Sequence, residues 1–352
     1  MKTEETNNFT IESPAGYEAL CFTDSRAPQF ATHGLMYDDS LKQFLRMPAS
    51  TAETVSENVA NLNKNTSGGR VRFKTNSGRI AIKCLMNSAT MLDIMPQSGV
   101  RGFSLYVDNV FYKLFRPTYA ETKNENKGFT AAVDFPQKKL RNITIYFPLY
   151  NEVSRLYVGL EKNCEILPAN DYQIKKPILF YGSSITQGGC ASRPGNSYDA
   201  VLCRYLDADY INLGFSGNAK GEPAMAEYLG ALDVSVFVFD YDHNAPDAEH
   251  LRKTHFPFYS IYRRMRPDVP VILMSRPGFD ADPETNALRR KIIMDTFEKG
   301  KSGGDKNLYF IDGETLFSGV NRDGCTMDGI HPNDLGFQRM ADTVHKTIQK
   351  II

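Results

Sequence analysis

The arrangement of apolar residues changes near Lys175-Lys176-Pro177, and this change constrains the fold more than any other feature of the sequence. Before it, apolar and polar residues alternate in short runs such as Val71-Arg72-Phe73-Lys74 and Ile143-Thr144-Ile145-Tyr146-Phe147. A period of two residues is typical of strands with one buried face. Turn-forming residues such as Asn76-Ser77-Gly78 separate these runs. We therefore predict that residues 1–170 form an accessory β-sandwich of jelly-roll type.

After Pro177 the apolar runs no longer alternate, and stretches with helical periodicity separate them. Such runs are typical of a parallel sheet that helices cover on both faces. We predict that residues 175–352 form a three-layer α/β/α domain with flavodoxin-like strand order, so the fold class is α/β. The runs are Ile178-Leu179-Phe180-Tyr181, Tyr210-Ile211-Asn212-Leu213, Val234 to Phe239, Val271-Ile272-Leu273-Met274 and Leu308-Tyr309-Phe310-Ile311.

The length of 352 residues also favours two domains, because it is long for a single hydrophobic core. The segment 151–176 that would join them contains apolar residues such as Leu156, Val158 and Ile166 and has no Gly/Ser-rich run. A flexible linker would be polar. We therefore expect the sandwich to pack against the second domain and to help wall its site.

Charge and cysteine usage limit the partners and the compartment. The chain has 41 basic and 41 acidic residues, so neither nucleic acid nor an anionic membrane is an expected partner. Met1 to Thr6 lack a basic start followed by an apolar stretch, and the six cysteines form no CxxC pair. These features predict a cytoplasmic protein with reduced thiols, and they leave its oligomeric state open.

Small and polar residues follow the first two predicted parallel strands, at the sheet edge where ligands bind. Gly182-Ser183-Ser184 comes after the first strand, where a helix start would offer free N–H groups to an oxyanion. The alternative is a loop whose serines only cap the helix. After the second strand, Gly214 to Gly217 would let the backbone approach a substrate closely, or would form an ordinary turn.

The third strand is followed by Asp240, Asp242, His243 and Asn244. The Asn244 amide could donate a hydrogen bond to an oxyanion. His243 is a second candidate base, although a histidine beside a strand end more commonly makes a structural hydrogen bond. The two aspartates and His243 could also bind a metal, but no other ligand spacing supports one, so neither a metal nor a cofactor is predicted.

A candidate base precedes the last predicted helix, in Asp328-Gly329-Ile330-His331. A histidine accepts a serine proton only in the right tautomer, and a nearby carboxylate fixes that tautomer. The spacing lets Asp328 reach the far ring nitrogen of His331. The alternative is a capped helix start near Asp334.

The succession of Ser, Gly, Asn and Asp-x-x-His, each at the end of an α/β unit, resembles the SGNH hydrolase superfamily, also called GDSL-type esterases. The resemblance covers about half of the chain. It implies a triad of Ser184, His331 and Asp328. It also implies that the N–H groups of Ser184 and Gly217 and the Asn244 amide hold the oxyanion.

Two motifs depart from the usual family pattern, and a third narrows the resemblance. The usual Gly-Asp-Ser-Leu is Gly182-Ser183-Ser184-Ile185 here, and the usual Gly-x-Asn-Asp is Asp242-His243-Asn244-Ala245. The segment from Tyr181 to Gly195 resembles a bacterial subgroup whose N-terminal β-sandwich is named for a Gly-x-Asp-Leu-Tyr motif. Gly102-Phe103-Ser104-Leu105-Tyr106 is similar to that motif. The two-domain plan is also similar to carbohydrate esterases that remove acetyl groups from sugars.

The resemblance implies a serine esterase, a carboxylic ester hydrolase that needs no cofactor. Small polar turns near the predicted site favour short acyl groups, acetyl above all, on a small molecule or a carbohydrate. One alternative is a lipase or lysophospholipase, which would need a long apolar groove or an amphipathic surface helix. Another is a non-catalytic carbohydrate-binding protein. Arg193 and Arg276 are candidate substrate contacts, or else ordinary surface arginines.

Overall fold

A computed structural model of the chain describes residues 9–122, 128–278, 280 and 282–352. The segment Met1 to Thr6, on which the prediction of no leader rests, lies outside these residues. None of the described helices is both long and apolar enough to cross a membrane.

The first half of the described chain consists mainly of antiparallel strands. Its strands are β1 (Thr10–Ile11), β2 (Leu20–Asp24), β3 (Ala31–His33), β4 (Met36–Asp38), β5 (Gln43–Leu45), β6 (Arg70–Thr75), β7 (Arg79–Leu85), β8 (Phe103–Val107), β9 (Val110–Phe115), β10 (Thr130–Asp134), β11 (Arg141–Tyr146), β12 (Arg155–Glu161) and β13 (Ile166–Leu167). Its short helices are α1 (Ala49–Val55), α2 (Glu57–Leu62), α3 (Gln97–Val100) and α4 (Tyr119–Thr122).

Two sheets form the predicted sandwich. One has the order β1-β2-β12-β7-β10, and the other has the order β13-β6-β11-β8-β9, with β3 added beside β6. Buried side chains from both sheets, among them Phe73, Ile82, Ile145 and Val158, meet in one apolar cluster. The alternation seen in the sequence therefore places every second residue of these strands in a shared core.

The second sheet differs from the sequence prediction, because the outer face of its central strand β11 is buried, although its edge strand β9 is mostly exposed. Every residue of β11 is buried. Ile143 and Ile145 face the sandwich core, whereas Tyr146 packs in a separate cluster with Tyr210 from the second half of the chain. The outer face of this sheet is therefore an interface at β11, and its polar residues are buried there.

The second half begins with β14 and has parallel strands alternating with helices. The strands are β14 (Ile174–Gly182), β15 (Ala208–Gly214), β16 (Val236–Asp240), β17 (Val271–Met274) and β18 (Leu308–Ile311). The helices are α5 (Ser184–Gln187), α6 (Tyr198–Tyr205), α7 (Pro223–Ala231), α8 (Ala248–Met265), α9 (Pro283–Ser302) and α10 (Asp334–Ile348).

These strands pair in the order β15-β14-β16-β17-β18, all parallel, which is the flavodoxin-like order. Helices α6 and α10 pack on one face of the sheet, and α7, α8 and α9 pack on the other. The prediction of an α/β chain, with a β-sandwich followed by a three-layer domain, is confirmed.

A buried arginine ties the two halves together. Arg70 of β6 is fully buried, and its guanidinium bonds the Asp209 carboxylate and, at 3.1 Å, the Tyr210 carbonyl in β15. The Tyr210 ring also lies under the guanidinium, and the Arg70 Cζ is 3.8 Å from the ring centroid. His33 of β3 bonds the other Asp209 oxygen through Nδ1 at 2.9 Å. The contact between the halves is thus both apolar and ionic.

We predict that Arg70→Met destabilises the protein by about 3–5 kcal/mol, because it leaves Asp209 without its main counter-ion at a largely buried site. Urea denaturation would measure the change. Lys176→Met is the control, since Lys176 and Asp233 form an exposed pair that is worth about 1 kcal/mol or less. Equal losses in the two variants would contradict a structural role for Arg70.

Candidate active site

The turn between β14 and α5 has no room for a side chain at its first residue. A Cβ on Gly182 would lie 2.1 Å from Thr186 Oγ1 and 2.2 Å from the Asp240 carbonyl oxygen. Ser183 then caps α5, because its hydroxyl accepts the Ile185 N–H at 3.1 Å. The capping role predicted as an alternative for the serines thus falls to Ser183, and Ser184 begins the helix.

Ser184 lies in a continuous chain of hydrogen bonds with the two residues that the sequence placed with it. Ser184 Oγ is 2.9 Å from His331 Nε2, and His331 Nδ1 is 2.8 Å from Asp328 Oδ2. The first two residues are 147 positions apart. The carboxyl edge of the sheet, where α5 starts, is therefore adjacent to the loop before α10.

The environment of Asp328 keeps it ionised. Partial burial acts to raise its pKa, but hydrogen bonds from the His331 backbone N–H, the His331 ring and the Ile330 N–H outweigh burial and lower the pKa. A carboxylate facing Nδ1 requires the ring proton to be there, which leaves Nε2 free to accept the Ser184 proton.

A second carboxyl group, that of Asp240, lies next to the nucleophile turn, where the Ser183 N–H donates to the Asp240 carbonyl at 3.2 Å. Burial, reinforced by the neighbouring Asp242, raises the pKa of Asp240 to about 8, although a hydrogen bond from Thr186 opposes the shift. Asp240 Oδ2 lies 3.1 Å from Thr186 Oγ1 and 3.4 Å from the Tyr198 hydroxyl. This carboxyl group therefore supports the turn, and its raised pKa favours the protonated form.

The predicted oxyanion donors Gly217 and Asn244 lie together. The Gly217 N–H donates to Asn244 Oδ1 at 3.2 Å, and Asn244 Nδ2 donates to the Phe215 carbonyl at 2.6 Å. These two bonds fix the orientation of the Asn244 amide and leave it one further N–H. Gly217 has φ +69°, and a Cβ there would meet nothing within 4 Å. The Ser184 N–H, in the first turn of α5, has no partner within the helix.

Asp242, one of the residues considered as a metal ligand, forms a buried ion pair instead. Its Oδ1 lies 2.7 Å from Arg289 Nε, and its Oδ2 accepts the Arg276 backbone N–H at 2.9 Å. These bonds hold the 3₁₀ turn Asp242–Asn244 that presents Asn244. Among the described residues, no cluster of three His, Cys, Asp or Glu is arranged to hold a metal ion.

The remaining candidates have partners within the protein. The Arg193 guanidinium stacks on Phe111 of β9, 3.9 Å from the ring centroid, and Arg276 Nε bonds Asn286 of α9. These contacts explain the positions of both arginines without a bound substrate. Burial, followed by nearby arginines, lowers the pKa of His243 to about 3, and its ring hydrogen-bonds the Pro277 carbonyl. The His243 ring is therefore neutral.

The sandwich supplies supporting residues that the sequence analysis missed. The Tyr150 hydroxyl donates to the Ser184 carbonyl at 3.1 Å. Arg46, whose pKa burial lowers to about 9, bonds the Gly214 carbonyl and lies 4.4 Å from the Phe215 ring centroid. These residues connect the nucleophile turn with the loop that carries Gly217. Their sequence positions, far from every motif, gave no signal of this role.

The fold and this site define an α/β/α hydrolase with an accessory β-sandwich. Residues 175–349 match the model of the GDSL-like lipase/acylhydrolase family, and residues 20–166 match the GxDLY model for the N-terminus of SGNH-hydrolase-type esterases. The chain belongs to this family of SGNH hydrolases, and it is a carboxylic ester hydrolase.

Solved structures with the same two-part architecture include a protein described as a GDSL-like lipase from Bacteroides ovatus ATCC 8483. It is 28% identical, with a TM-score of 0.83 over 94% of this chain and 98% of that one. The salicylyl-acyltransferase SsfX3 from a tetracycline biosynthetic pathway is 20% identical, and the match, with a TM-score of 0.77, covers 94% of this chain and 97% of that one. The acetyl xylan esterase Est2A of Butyrivibrio proteoclasticus is 14% identical, with a TM-score of 0.60 over 94% and 98%. No curated protein matches the chain.

We predict that Ser184→Ala removes esterase activity and leaves the melting temperature nearly unchanged, whereas Ser183→Ala keeps most of the activity. The Ser183→Ala variant loses only the hydrogen bond that caps α5, which costs about 1 kcal/mol of stability. Hydrolysis of p-nitrophenyl acetate and thermal denaturation of both variants would measure these effects. Equal loss of activity in two well-folded variants would contradict the assignment of Ser184.

We also predict that Tyr150→Phe lowers kcat about tenfold and leaves KM nearly unchanged, because the Ser184 carbonyl loses a buried donor. The matched control is Tyr146→Phe, which removes a buried hydroxyl that bonds Arg204 instead. Steady-state kinetics of both variants would test the prediction. A similar effect in the two variants would show that Tyr150 has no special role in positioning Ser184.

Proposed function

We propose that the protein hydrolyses esters by two-step acyl transfer, with Ser184 as nucleophile, His331 as base and Asp328 orienting the histidine. The observation that carries this proposal is the continuous hydrogen-bond chain of 2.9 Å and 2.8 Å through these residues. Ser184 Oγ attacks the ester carbonyl while His331 Nε2 takes its proton. The ester C–O bond then breaks, and His331 returns that proton to the leaving alcohol.

Water completes the reaction by the same steps. His331 takes a proton from the water as it attacks the acylated Ser184, and it returns the proton to Ser184 Oγ when the acid leaves. The oxyanion of both steps is held by the N–H groups of Ser184 and Gly217 and by the remaining amide N–H of Asn244. To bind the oxyanion, the Gly217 N–H must give up its hydrogen bond to Asn244 Oδ1. One such donor is typically worth about 3 kcal/mol of barrier.

The acyl group is short, with acetyl preferred. The small size of the residues beside Ser184 supports a short acyl group better than the polarity of the surrounding turns does. Ser192 and Asn196 are bound to Asp334, so these polar side chains are already engaged within the protein. The small residue Gly189 lies against the nucleophile turn, and a Cβ there would lie 3.0 Å from the Ser184 carbonyl oxygen and 3.3 Å from the His331 ring.

An acetylated sugar or oligosaccharide is the candidate substrate that the comparisons favour. Carbohydrate esterases from Clostridium thermocellum and Cellvibrio japonicus share the fold, each with a TM-score of 0.63. Their identities to this chain are 16% and 14%, so this support concerns the architecture. A non-catalytic carbohydrate-binding role is disfavoured, because the Ser-His-Asp hydrogen bonds are intact.

A lipase or lysophospholipase is the second candidate, and one observation favours the lipase. A cavity has many apolar side chains in its lining, among them Ile94, Met95 and Leu335, and its lining residues Cys190 and Met327 are next in sequence to Gly189 and Asp328 of the candidate site. The sequence gives no local signal of this cavity, because its lining residues come from separate segments of both halves of the chain.

A series of p-nitrophenyl esters from acetate to palmitate separates the two candidates. We predict that kcat/KM is highest for acetate or butyrate and falls for longer chains, since the small residues beside Ser184 provide no aliphatic wall for the acyl group. The Ser184→Ala variant gives the background rate. Activity that rises beyond butyrate would contradict the short-acyl proposal and favour a lipase.

A further inference from the structure

We propose that the cavity lined by Ile94, Cys190, Met327 and Leu335 is a subsite for an apolar, uncharged group on the alcohol half of the ester. The cavity has a volume of about 630 Å³. The loop before α3 forms one wall, and the segments around Cys190, Met327 and Leu335 form the other. Both halves of the chain are thus needed to build it. The inference rests on the proposed esterase function and adds the nature of the leaving group.

The position of the cavity assigns it to the alcohol rather than to the acyl group. Its lining residue Met327 precedes Asp328, and the Met327 backbone N–H donates to the His331 carbonyl at 2.8 Å. Its lining residue Cys190 follows Gly189, which lies against the His331 ring. Because His331 returns its proton to the leaving oxygen, the group attached to that oxygen lies on the histidine side of the site.

The side chains of the cavity suit an aliphatic or aromatic group. Met95 is buried, whereas Ile94, Met327 and Leu335 are exposed by 43%, 55% and 43%. Such exposure of apolar side chains around one cavity is typical of a binding site, because a ligand would remove their surface from water. Methionine side chains also adapt to differently shaped partners.

The charges around the cavity disfavour an anionic group. Asp93 and Asp334 are among its lining residues, and no lysine or arginine lines it in the described part of the chain. The Asp334 carboxylate bonds Ser192 and Asn196, so it is turned toward its own protein. A phosphate or carboxylate would meet negative charge without a compensating donor, so a lysophospholipid headgroup fits poorly. If the substrate is an acetylated sugar, an apolar substituent on that sugar would occupy the subsite.

Acetate esters that differ only in the alcohol provide the test, with ethyl acetate and hexyl acetate as the first pair. We expect kcat/KM for hexyl acetate to exceed that for ethyl acetate by about tenfold or more. Full burial of one methylene gives roughly a fourfold gain, and the cavity is partly open. The matched variants are Ile94→Asn in the cavity and Met91→Asn, which changes an exposed residue of the same loop outside the lining.

Ile94→Asn should reduce the ratio of hexyl to ethyl acetate activity severalfold, and Met91→Asn should leave that ratio unchanged. A ratio near one in the wild-type protein, or a ratio that Ile94→Asn does not alter, would overturn the subsite while the esterase function stands. If the wild-type protein turned over neither ester faster than Ser184→Ala does, the proposed function itself would fail.

Discussion

The candidate site depends on a strand-to-helix turn that only glycine can begin. Gly182 is enclosed by the Thr186 side chain and the Asp240 carbonyl, so any side chain there would push β14 away from α5. β14 is the second strand in a parallel sheet of five. Its pairing with β15 and β16 fixes where β14 ends relative to these two strands. The position of Ser184 therefore follows from the register of three strands.

Donors from the sandwich satisfy carbonyl groups in the loops around this turn. Tyr150 bonds the Ser184 carbonyl at 3.1 Å, Ser67 bonds the Gln187 carbonyl at 2.6 Å, and Ser98 bonds the Ser192 carbonyl at 2.6 Å. Buried carbonyls without donors are costly, so docking of the sandwich stabilises the conformations of these loops. The sandwich is thus part of the scaffold of the site as well as one wall of the cavity.

Local patterns in the sequence were sufficient for the fold class and for the pairing of Asp328 with His331, whereas the family resemblance was needed to group Ser184 with them. Strand type follows from apolar periodicity, and an Asp three residues before a His can reach its ring within one turn. Contacts between distant segments could not be predicted in this way. Arg289 and Asp242 are 47 positions apart, and neither carries a signal of their ion pair. The burial of the outer face of β11 likewise depends on docking of the two halves.

The crystal structure of the protein inhibited with a p-nitrophenyl alkylphosphonate would test the central claim most directly, because the phosphonate mimics the tetrahedral intermediate. The account predicts phosphorus bonded to Ser184 Oγ, with a phosphonyl oxygen about 2.7–3.1 Å from the Gly217 N–H and the Asn244 amide. Phosphorus on Ser183, or a Ser184 adduct whose oxygen faces away from both donors, would contradict it.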